Sequence, residues 1–450
     1  MPAAMPPVAA MRSRFNPLAD HPTGLAVLAG TQVWERFSFY GMQALLTLYM
    51  VNHLLKPGRI EQVLGFAGFR AGLEALTGPL DTLALAAQIF GLYIGLFNIV
   101  PLLGAWAGDG PLGQRRTVMI GLVLMAAGHL AMAAEPLFLV ALALLVLGGG
   151  LLKGNLYAQV GQLYQGDDQQ RPRAYALFLL ALNIGAFAAP LVCGTLGEVW
   201  GWHWGFAAAG VGMLIGLGVY LAGQRHLPPD VRKARVADTS AADDRQRIAA
   251  ILLVLLPYTI IFAGAMQAYN LLLVWAETAL DRDVLGIAMP VTWLLSIDGA
   301  GTIAGIALML WAWRWLAARG LEPDALGKIA IAGVLVAGAW SLLAIATIAM
   351  PLVPLVVVAA FFLVLDLSFG WLEAPANGFA AATAPPRLAT TMISINIMAF
   401  GLANIISGWL GRFYEPLGPA GFWWLNAAIG GGGAALALLL RPLVRRLVPA

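Results

Sequence analysis

The chain has 450 residues, of which 60% are hydrophobic and 11% are charged, and its formal net charge is +3. Because so few charged residues cannot cover a water-facing surface, the composition excludes a soluble enzyme and indicates a membrane protein. The apolar runs are long enough to cross about 30 Å of hydrocarbon as helices and too long for barrel strands, which predicts an all-α membrane protein. The basic residues lie between these runs rather than on one face, which argues against a nucleic-acid partner.

Twelve apolar runs are predicted to span the membrane as helices. They cover residues 22–53, 81–107, 115–134, 136–163, 172–197, 203–223, 248–279, 287–317, 326–349, 352–382, 387–414 and 419–442. The one long polar stretch, 224–247, divides them into two sets of six and is predicted to be a cytoplasmic linker. Six spans on each side of a charged loop favour two bundles that rock about a site between them. The expected units are a tail at 1–21, bundles at 22–223 and 248–442, the linker, and a tail at 443–450.

The charges of the loops predict the orientation of the chain. With the N-terminus inside, the inside segments hold most of the arginines and lysines, including the cluster from Arg225 to Arg247. The outside segments hold only Lys56, Arg59, Arg70, Arg282 and Arg412. Because cytoplasmic loops carry excess positive charge, both termini are expected in the cytoplasm. Low cysteine use suits a bacterial inner membrane, and no cleavable signal peptide is expected, since residues 1–20 lack a defined apolar core.

Six charged residues lie near the middle of predicted spans, and such charges are costly. They are Glu35 and Arg36 in the first span, Lys153 in the fourth, Asp298 in the eighth, and Asp366 and Glu373 in the tenth. Each charge costs about 2.5–3.5 kcal/mol at the centre of a membrane helix, so it needs a partner, a cavity or a function. The excess of acids over bases favours a carboxyl group that is protonated part of the time and can carry a proton. The alternative is that these charges, above all Glu35 with Arg36, and Asp366, form ion pairs that hold helices together.

The polar residues of the first span follow helical spacing. Gln32, Glu35, Arg36, Tyr40 and Gln43 are separated by steps of one, three or four residues, which places them on one face of a helix. This stripe is predicted to line a cavity. Both intramembrane bases lie in the first half of the chain and three of the four acids lie in the second half, so a zwitterion would fit between the halves.

Several motifs lie in and between these spans. Residues 32–42 read Gln-Val-Trp-Glu-Arg-Phe-Ser-Phe-Tyr-Gly-Met, and residues 148–155 read Gly-Gly-Gly-Leu-Leu-Lys-Gly-Asn. They resemble the motifs E-x-x-E-R-F-x-Y-Y-G and G-x-G-x-x-K-P-N of the proton-coupled oligopeptide transporters, the POT family of the major facilitator superfamily. The family's loop between helices two and three is similar to the stretch that holds Asp109, Gly113, Arg115 and Arg116. Further matches are Phe178, Asn183, Gly185, Pro190, Gly194, Glu198, Gln267, Pro290, Trp293, Ser296, Pro375 and Pro386.

The resemblance implies the major facilitator superfamily fold, with 12 transmembrane helices in two six-helix bundles. It also implies a symporter that takes up di- and tripeptides with protons by alternating access. The expected partners are a small peptide, protons and the lipid bilayer, and the protein is expected to be a monomer. No enzyme activity and no cofactor are expected.

The resemblance also implies roles for individual residues. In the family, a helix-four lysine and a helix-one arginine are associated with proton coupling and the substrate carboxylate, and a helix-ten glutamate with the substrate amino group. The residues expected to couple protons are Glu35, Arg36, Lys153, Asp298 and Glu373. Those expected to bind substrate are Gln32, Tyr40, Gln43, Lys153, Asn155, Gln267, Asp298 and Glu373. Asp109, Gly113, Arg115 and Arg116 are expected to form a gating loop.

The chain departs from the family pattern at positions expected to touch substrate. Gln32, Gln43, Gly370 and Asp298 replace a glutamate, an arginine, a glutamate and an asparagine, respectively. Glu373 lies three residues after Gly370, so Asp298 or Glu373 is expected to take over part of the proton or amine-binding role. These departures keep open a second hypothesis, a carrier of another small zwitterionic or anionic solute with altered proton coupling.

Other polar residues are not expected to form sites of their own. The histidines lack metal-ligand spacing, so no metal site is expected; they are His21, His53, His129, His203 and His226. The single cysteine, Cys193, excludes a disulfide framework. Tyr93 and Trp371 could line the cavity or serve as apolar packing.

Overall fold

The computed structural model describes residues 21–110, 112–164, 170–230, 242–284, 286–385 and 388–448. Residues 1–20 of the predicted N-terminal tail and residues 231–241 of the predicted linker lie outside the described part of the chain. Nearly all of the described chain is helical, which confirms the predicted all-α class. In the part that the structure describes, nine helical segments are long and apolar enough to cross a membrane.

The described part of the first half of the chain forms eight α-helices. They are α1 Thr23–Tyr49, α2 Phe66–Thr77, α3 Thr82–Ile99, α4 Pro101–Asp109, α5 Gln114–Ala131, α6 Phe138–Leu163, α7 Arg171–Ala189 and α8 Trp202–Gly223. Pro101 begins α4 directly after α3, where a proline fits because the first helical N–H has no intrahelical partner. The helix α7 continues through two π-helical turns, Pro190–Gly194 and Leu196–Trp200. Pro190 lacks the N–H that an α-helical turn would use, so the helix widens at this point.

The described residues of the second half form seven α-helices and four short strands. The helices are α9 Ala242–Ala265, α10 Leu271–Ala279, α11 Leu294–Ala317, α12 Ala325–Ala349, α13 Leu355–Thr383, α14 Ala389–Leu410 and α15 Tyr414–Leu447. The strands β1 Leu280–Asp281 and β4 Val353–Pro354 pair in parallel, and β2 Asp283–Val284 pairs antiparallel with β3 Ile287–Ala288. The helix α15 is kinked at Gly418, whose φ of 66° is open to glycine and disfavoured for other residues.

The predicted seventh span, 248–279, is interrupted. The helix α9 ends at Ala265, a 3-10 turn follows at Met266–Tyr269, and Asn270 has the non-helical angles φ −119° and ψ −98°. The Asn270 side chain donates to the backbone oxygen of Ala87 in α3 at 3.2 Å. A contact with the other half of the molecule therefore lies at the break.

Two separate apolar cores stabilise the helices. One is formed by buried residues between Leu25 and Leu227, and the other by buried residues between Ala250 and Val444 with Ala44, Leu48 and Ala87 added. In the second core Trp340 stacks on Trp423 with ring centroids 4.9 Å apart. Each half of the chain therefore packs mainly around an apolar core of its own.

Candidate functional site

A cavity of about 670 Å³ lies between the two halves of the chain. The helices α1, α3, α6 and α7 form one wall, and α9, α11, α13 and α14 form the other. Six residues predicted from the sequence line it together: Arg36, Tyr40, Gln43, Lys153, Asp298 and Glu373. Bases from the first half therefore share one cavity with acids from the second half.

Arg36 and Glu35 form a bidentate ion pair in the wall of α1. The Arg36 Nε donates to Glu35 Oε2 at 2.5 Å, and Nη2 donates to Oε1 at 2.9 Å. The side chain of Glu35 is fully buried and that of Arg36 is 5% exposed. Arg36 also lies over the ring of Phe39, 5.2 Å from its centroid. Both residues lie on α1, so this ion pair joins no two helices, and Arg36 still reaches the cavity.

Lys153 has a neutral partner. Its Nζ donates to Asn98 Oδ1 at 2.9 Å, and Asn98 in turn donates to the backbone oxygen of Ile94 at 2.8 Å. Among the residues that the structure describes, Lys153 forms no salt bridge. An ammonium group has three donors, so Lys153 keeps hydrogen-bonding capacity that faces the cavity.

The acidic wall comes from α11 and α13. Asp298 Oδ1 accepts a hydrogen bond from the Tyr269 hydroxyl at 2.9 Å. Asp366 lies behind the cavity lining on α13, and its Oδ1 accepts from Thr302 Oγ1, one helical turn after Asp298, at 3.2 Å. Glu373 lines the cavity and is accessible to water within it. Tyr269 carries no charge and lies in the break of the seventh span, so the sequence offered no signal for it.

Three predicted substrate residues lie behind the cavity wall. Gln32 is 2% exposed. The Asn155 side chain donates to the backbone oxygens of Gly104 and Leu151, each at 2.8 Å, and so ties α6 to α4. Gln267 donates to the backbone oxygen of Ser407 in α14. These side chains hold helices in place, and a direct contact with substrate stays a prediction for them.

Two aromatic residues with open interpretations also lie outside the cavity lining. Tyr93 packs against Phe97 with ring centroids 6.2 Å apart, and Trp371 packs edge-on against Trp313 at 5.7 Å. Both are at most 5% exposed, so their observed contacts are those of apolar packing.

The predicted gating loop packs against the segment that follows α8. The backbone N–H of Arg115 donates to Asp230 Oδ1 at 2.9 Å, and its guanidinium donates to the backbone oxygen of Leu227. Gly113 has a φ of 78°, and a Cβ at this position would lie 2.5 Å from Asp230 Cγ. Asp109 accepts from Gln114 Nε2 at 3.3 Å, and Arg116 is exposed. The loop therefore contacts its own half, and its gating role stays a prediction.

Two histidines that are far apart in sequence meet at one carboxylate. Glu135 Oε1 lies 2.7 Å from His53 Nε2 and 3.9 Å from His203 Nε2. Arg59 Nη1 donates to the same oxygen at 2.7 Å and lies 2.9 Å from His53 Nε2. Although the ligand atoms of the three residues lie within 4.8 Å of one another, the guanidinium already supplies a positive charge there. Sequence spacing could not reveal this cluster, because its members come from three different elements.

A set of hydrogen bonds joins the two halves at the end of the molecule where α1 ends and α11 begins, which we call the closed end. Glu198 accepts from the backbone N–H groups of Val291 and Thr292, both at 2.8 Å, and from Thr292 Oγ1 at 2.7 Å. Asn52 donates to Glu277 at 2.8 Å. Further bonds across the closed end join Thr47 to Asn270, Trp293 to Thr195, Ser296 to Phe187 and Arg412 to Thr77.

The chain is similar in sequence and in fold to known peptide transporters. The sequence profile of the POT family matches residues 115–240. The chain is 26% identical to a peptide transporter of Yersinia enterocolitica, YePEPT, over 87% of this chain and 88% of that protein. It is 37% identical to a di-/tripeptide transporter of Lactococcus lactis over 212 residues, which cover 46% of this chain and 39% of that protein. Its fold is similar to that of a mutant peptide transporter POT crystallised with alafosfalin, with a TM-score of 0.82, 25% identity and coverage of 96% and 97% of the two chains.

Proposed function

Because the chain belongs to the POT family, we propose that it is a secondary transporter that takes up small peptides together with protons. The observation that carries the proposal is the cavity between the halves, with Arg36 and Lys153 in one wall and Asp298 and Glu373 in the other. A dipeptide is a zwitterion at neutral pH, so opposite walls of opposite charge suit its two ends. The relatives are transporters, which points away from an enzyme.

The proposed arrangement is the major facilitator fold of twelve spans in two six-helix bundles. The bundles would comprise 22–223 and 248–442, with 224–247 as the cytoplasmic linker. The protein would lie in the inner membrane with both termini on the cytoplasmic side. The separate apolar cores of the two halves support this division. The last of the nine apolar segments covers both α14 and α15, and we add α1 and α5 as spans, although α1 carries Glu35 and Arg36 and α5 carries Arg115 and Arg116 in its first turn.

The peptide carboxylate is proposed to bind Lys153 and Arg36. Lys153 has only a neutral partner, so a carboxylate would give it the charged hydrogen bond it lacks. Arg36 is held by Glu35, which fixes the direction of its guanidinium. The peptide amino group is proposed to bind Glu373, which faces the cavity on the opposite wall.

Transport would follow from opening and closing the two ends of the cavity in turn. The bonds at the closed end support a state in which the cavity is shut toward the outside, since that end lies opposite the proposed cytoplasmic termini. Each proton that enters is driven by about 2.3 kcal/mol per 100 mV of membrane potential, plus the pH gradient. This free energy suffices to concentrate a neutral zwitterion.

Uptake into liposomes tests the proposal. Purified protein is reconstituted, an inside-negative potential and an acidic exterior are imposed, and labelled dipeptides are supplied with other small zwitterions as competitors. We expect uphill accumulation of peptide that a protonophore abolishes. Liposomes that accumulate no peptide would overturn the proposal, and competition by a non-peptide zwitterion alone would favour the second hypothesis of another solute.

A further inference from the structure

Asp298 and Asp366 form a carboxyl pair inside the second half of the molecule. Asp298 projects from α11 into the cavity, and Asp366 reaches it from α13. They are 8% and 2% exposed, respectively, and Asp366 meets α11 about one turn after Asp298, where its Oδ1 accepts from Thr302 Oγ1 at 3.2 Å. Gly301 makes room for this approach, because a Cβ at that position would overlap Asp366 Oδ2.

The hydrogen bonds around the pair leave one position unfilled. Tyr269 donates to Asp298 at 2.9 Å and Thr302 donates to Asp366 Oδ1 at 3.2 Å. The second oxygen of Asp366, Oδ2, is buried and receives no hydrogen bond from any donor in the described part of the chain. Two ionised carboxylates can only accept, so they cannot satisfy each other. A proton on either one supplies a donor that the other can accept.

No cation neutralises the pair within the described residues. The two bases of the cavity bond elsewhere, Arg36 to Glu35 and Lys153 to Asn98. The other ionisable groups nearby are the Tyr40 and Tyr269 hydroxyls and the carboxyl group of Glu373, which supply no positive charge. Two like charges held together away from bulk water are unfavourable, so such pairs hold one proton in common.

We propose that Asp298 and Asp366 form a proton-binding site that holds one shared proton and supplies the coupling proton of transport. The proton arrives from water in the cavity at Asp298, the member that lines it, and lowers the charge of the pair from two negative charges to one. Its release restores the second charge. The inference rests on the proposed function, and it names the site at which the coupling proton binds.

Two measurements on the full-length protein test the site. The first is infrared difference spectroscopy in detergent without peptide, which detects the C=O stretch of a protonated carboxyl group. We expect a band at neutral pH that disappears in Asp298→Asn and in Asp366→Asn, since each variant leaves only one carboxyl group of the pair and so no like charge beside it. Asp281→Asn, at an exposed position in β1, is the matched control and is expected to keep the band. A band that survives in both single variants overturns the proposal.

The second measurement separates exchange from accumulation. In peptide counterflow the substrate crosses in both directions without net proton movement, whereas uphill accumulation needs the coupled proton. We expect Asp366→Asn, whose side chain lies behind the cavity lining, to keep counterflow, which also shows that it folds, and we expect both variants to lose uphill accumulation and its dependence on external pH. Accumulation at the parent level in both variants, or accumulation that follows a sodium gradient instead of a proton gradient, overturns the proposal.

The two measurements distinguish the failure of the site from the failure of the proposed function. If the parent shows the carboxyl band and the variants lose it, but no peptide accumulates in parent liposomes, then the proton site stands and peptide uptake fails. If the parent accumulates peptide and the variants do so equally, then peptide uptake stands and the site fails.

Discussion

Substitution of Glu198 by glutamine is expected to loosen the closed end. The carboxylate of Glu198 extends from α7 of the first half and accepts three hydrogen bonds from Val291 and Thr292, at 2.8, 2.8 and 2.7 Å. These residues open the 3-10 turn before α11, whose N-terminal N–H groups receive no side-chain bond from the preceding residue, Pro290. Glu198 thus caps a helix of the other half, and the negative charge also favours the positive end of the helix dipole.

The free energy lost in Glu198→Gln can be estimated from the strength of hydrogen bonds to a charged acceptor. Hydrogen bonds to charged groups contribute roughly 1.5–3 kcal/mol each, but Glu198 is only partly buried and its bonds are not additive. Glutamine retains one acceptor oxygen and places an amide N–H₂ against the remaining donors. We therefore expect a loss of about 2 kcal/mol from the state with the closed end intact, which raises the ratio of open to closed molecules about thirtyfold.

Distances between spin labels measure this ratio. Trp200 and Ile287 lie on opposite halves near the closed end and are each 70% exposed, so cysteines can replace both. The native Cys193 is fully buried and should not compete for the label. We expect Glu198→Gln to shift the distance distribution toward longer values. Glu74→Gln is the matched control, because its carboxylate bonds Arg70 within the same half. An unchanged distribution in Glu198→Gln would refute the assignment of Glu198 as a clasp between the halves.

Three further predictions concern binding and stability. Lys153→Gln should weaken peptide binding at least about tenfold, since a charged hydrogen bond is lost. Binding is measured by thermophoresis, with Lys328→Gln at a distant salt bridge as the control. Unchanged affinity of Lys153→Gln would contradict its role in binding the peptide carboxylate. Gly91→Ala should destabilise the protein by about 1–3 kcal/mol, because the new Cβ would lie 2.5 Å from a backbone oxygen of α14. Gly218→Ala is the control and should be tolerated, since its Cβ meets no atom within 4 Å. Equal melting temperatures for the two variants would contradict this prediction. Partial burial tends to raise the pKa of Asp324, but hydrogen bonds from two arginines of α15 and from the backbone of α12 outweigh it and lower the pKa. The stabilisation by Asp324 is thus present above the pKa that an aspartate has in the unfolded chain, and it is lost as the pH falls below about 4. On acidification, the melting temperature of the parent should therefore fall more than that of Asp324→Asn. An equal fall in the two melting temperatures would contradict this prediction.

The sequence predicted the helices and the charged residues of the site because both depend on local properties. Hydropathy identifies helices that face lipid, and helical spacing places Arg36, Tyr40 and Gln43 on one face, which the structure finds in the cavity wall. Gln32 shares that stripe but lies deeper in the bundle, since a helical face extends over more turns than a cavity of this size can reach.

The partners of these charged residues could not be predicted, because they come from distant parts of the chain. Asp366 meets Asp298 across two helices, and no local spacing distinguishes that contact from an ion pair. The break of the seventh span was also missed, since Asn270 has neither the proline nor the glycine that signals an interruption. It is held by Ala87 and Thr47 of the other half, so only the assembled fold determines it.

That break connects the carboxyl pair to the closed end. Tyr269, the last residue of the 3-10 turn, donates to Asp298, and the next residue, Asn270, bonds Ala87 and Thr47 of the first half. A change in the charge of Asp298 alters the strength of the hydrogen bond that it receives from Tyr269, because bonds to ionised acceptors are stronger than bonds to neutral ones. Asn270 directly follows Tyr269 in the chain, so a movement of Tyr269 would displace the residue that bonds the first half. A proton bound at the pair therefore acts on the contacts that hold the two halves together, and this is the physical requirement for coupling proton entry to the opening of a cavity.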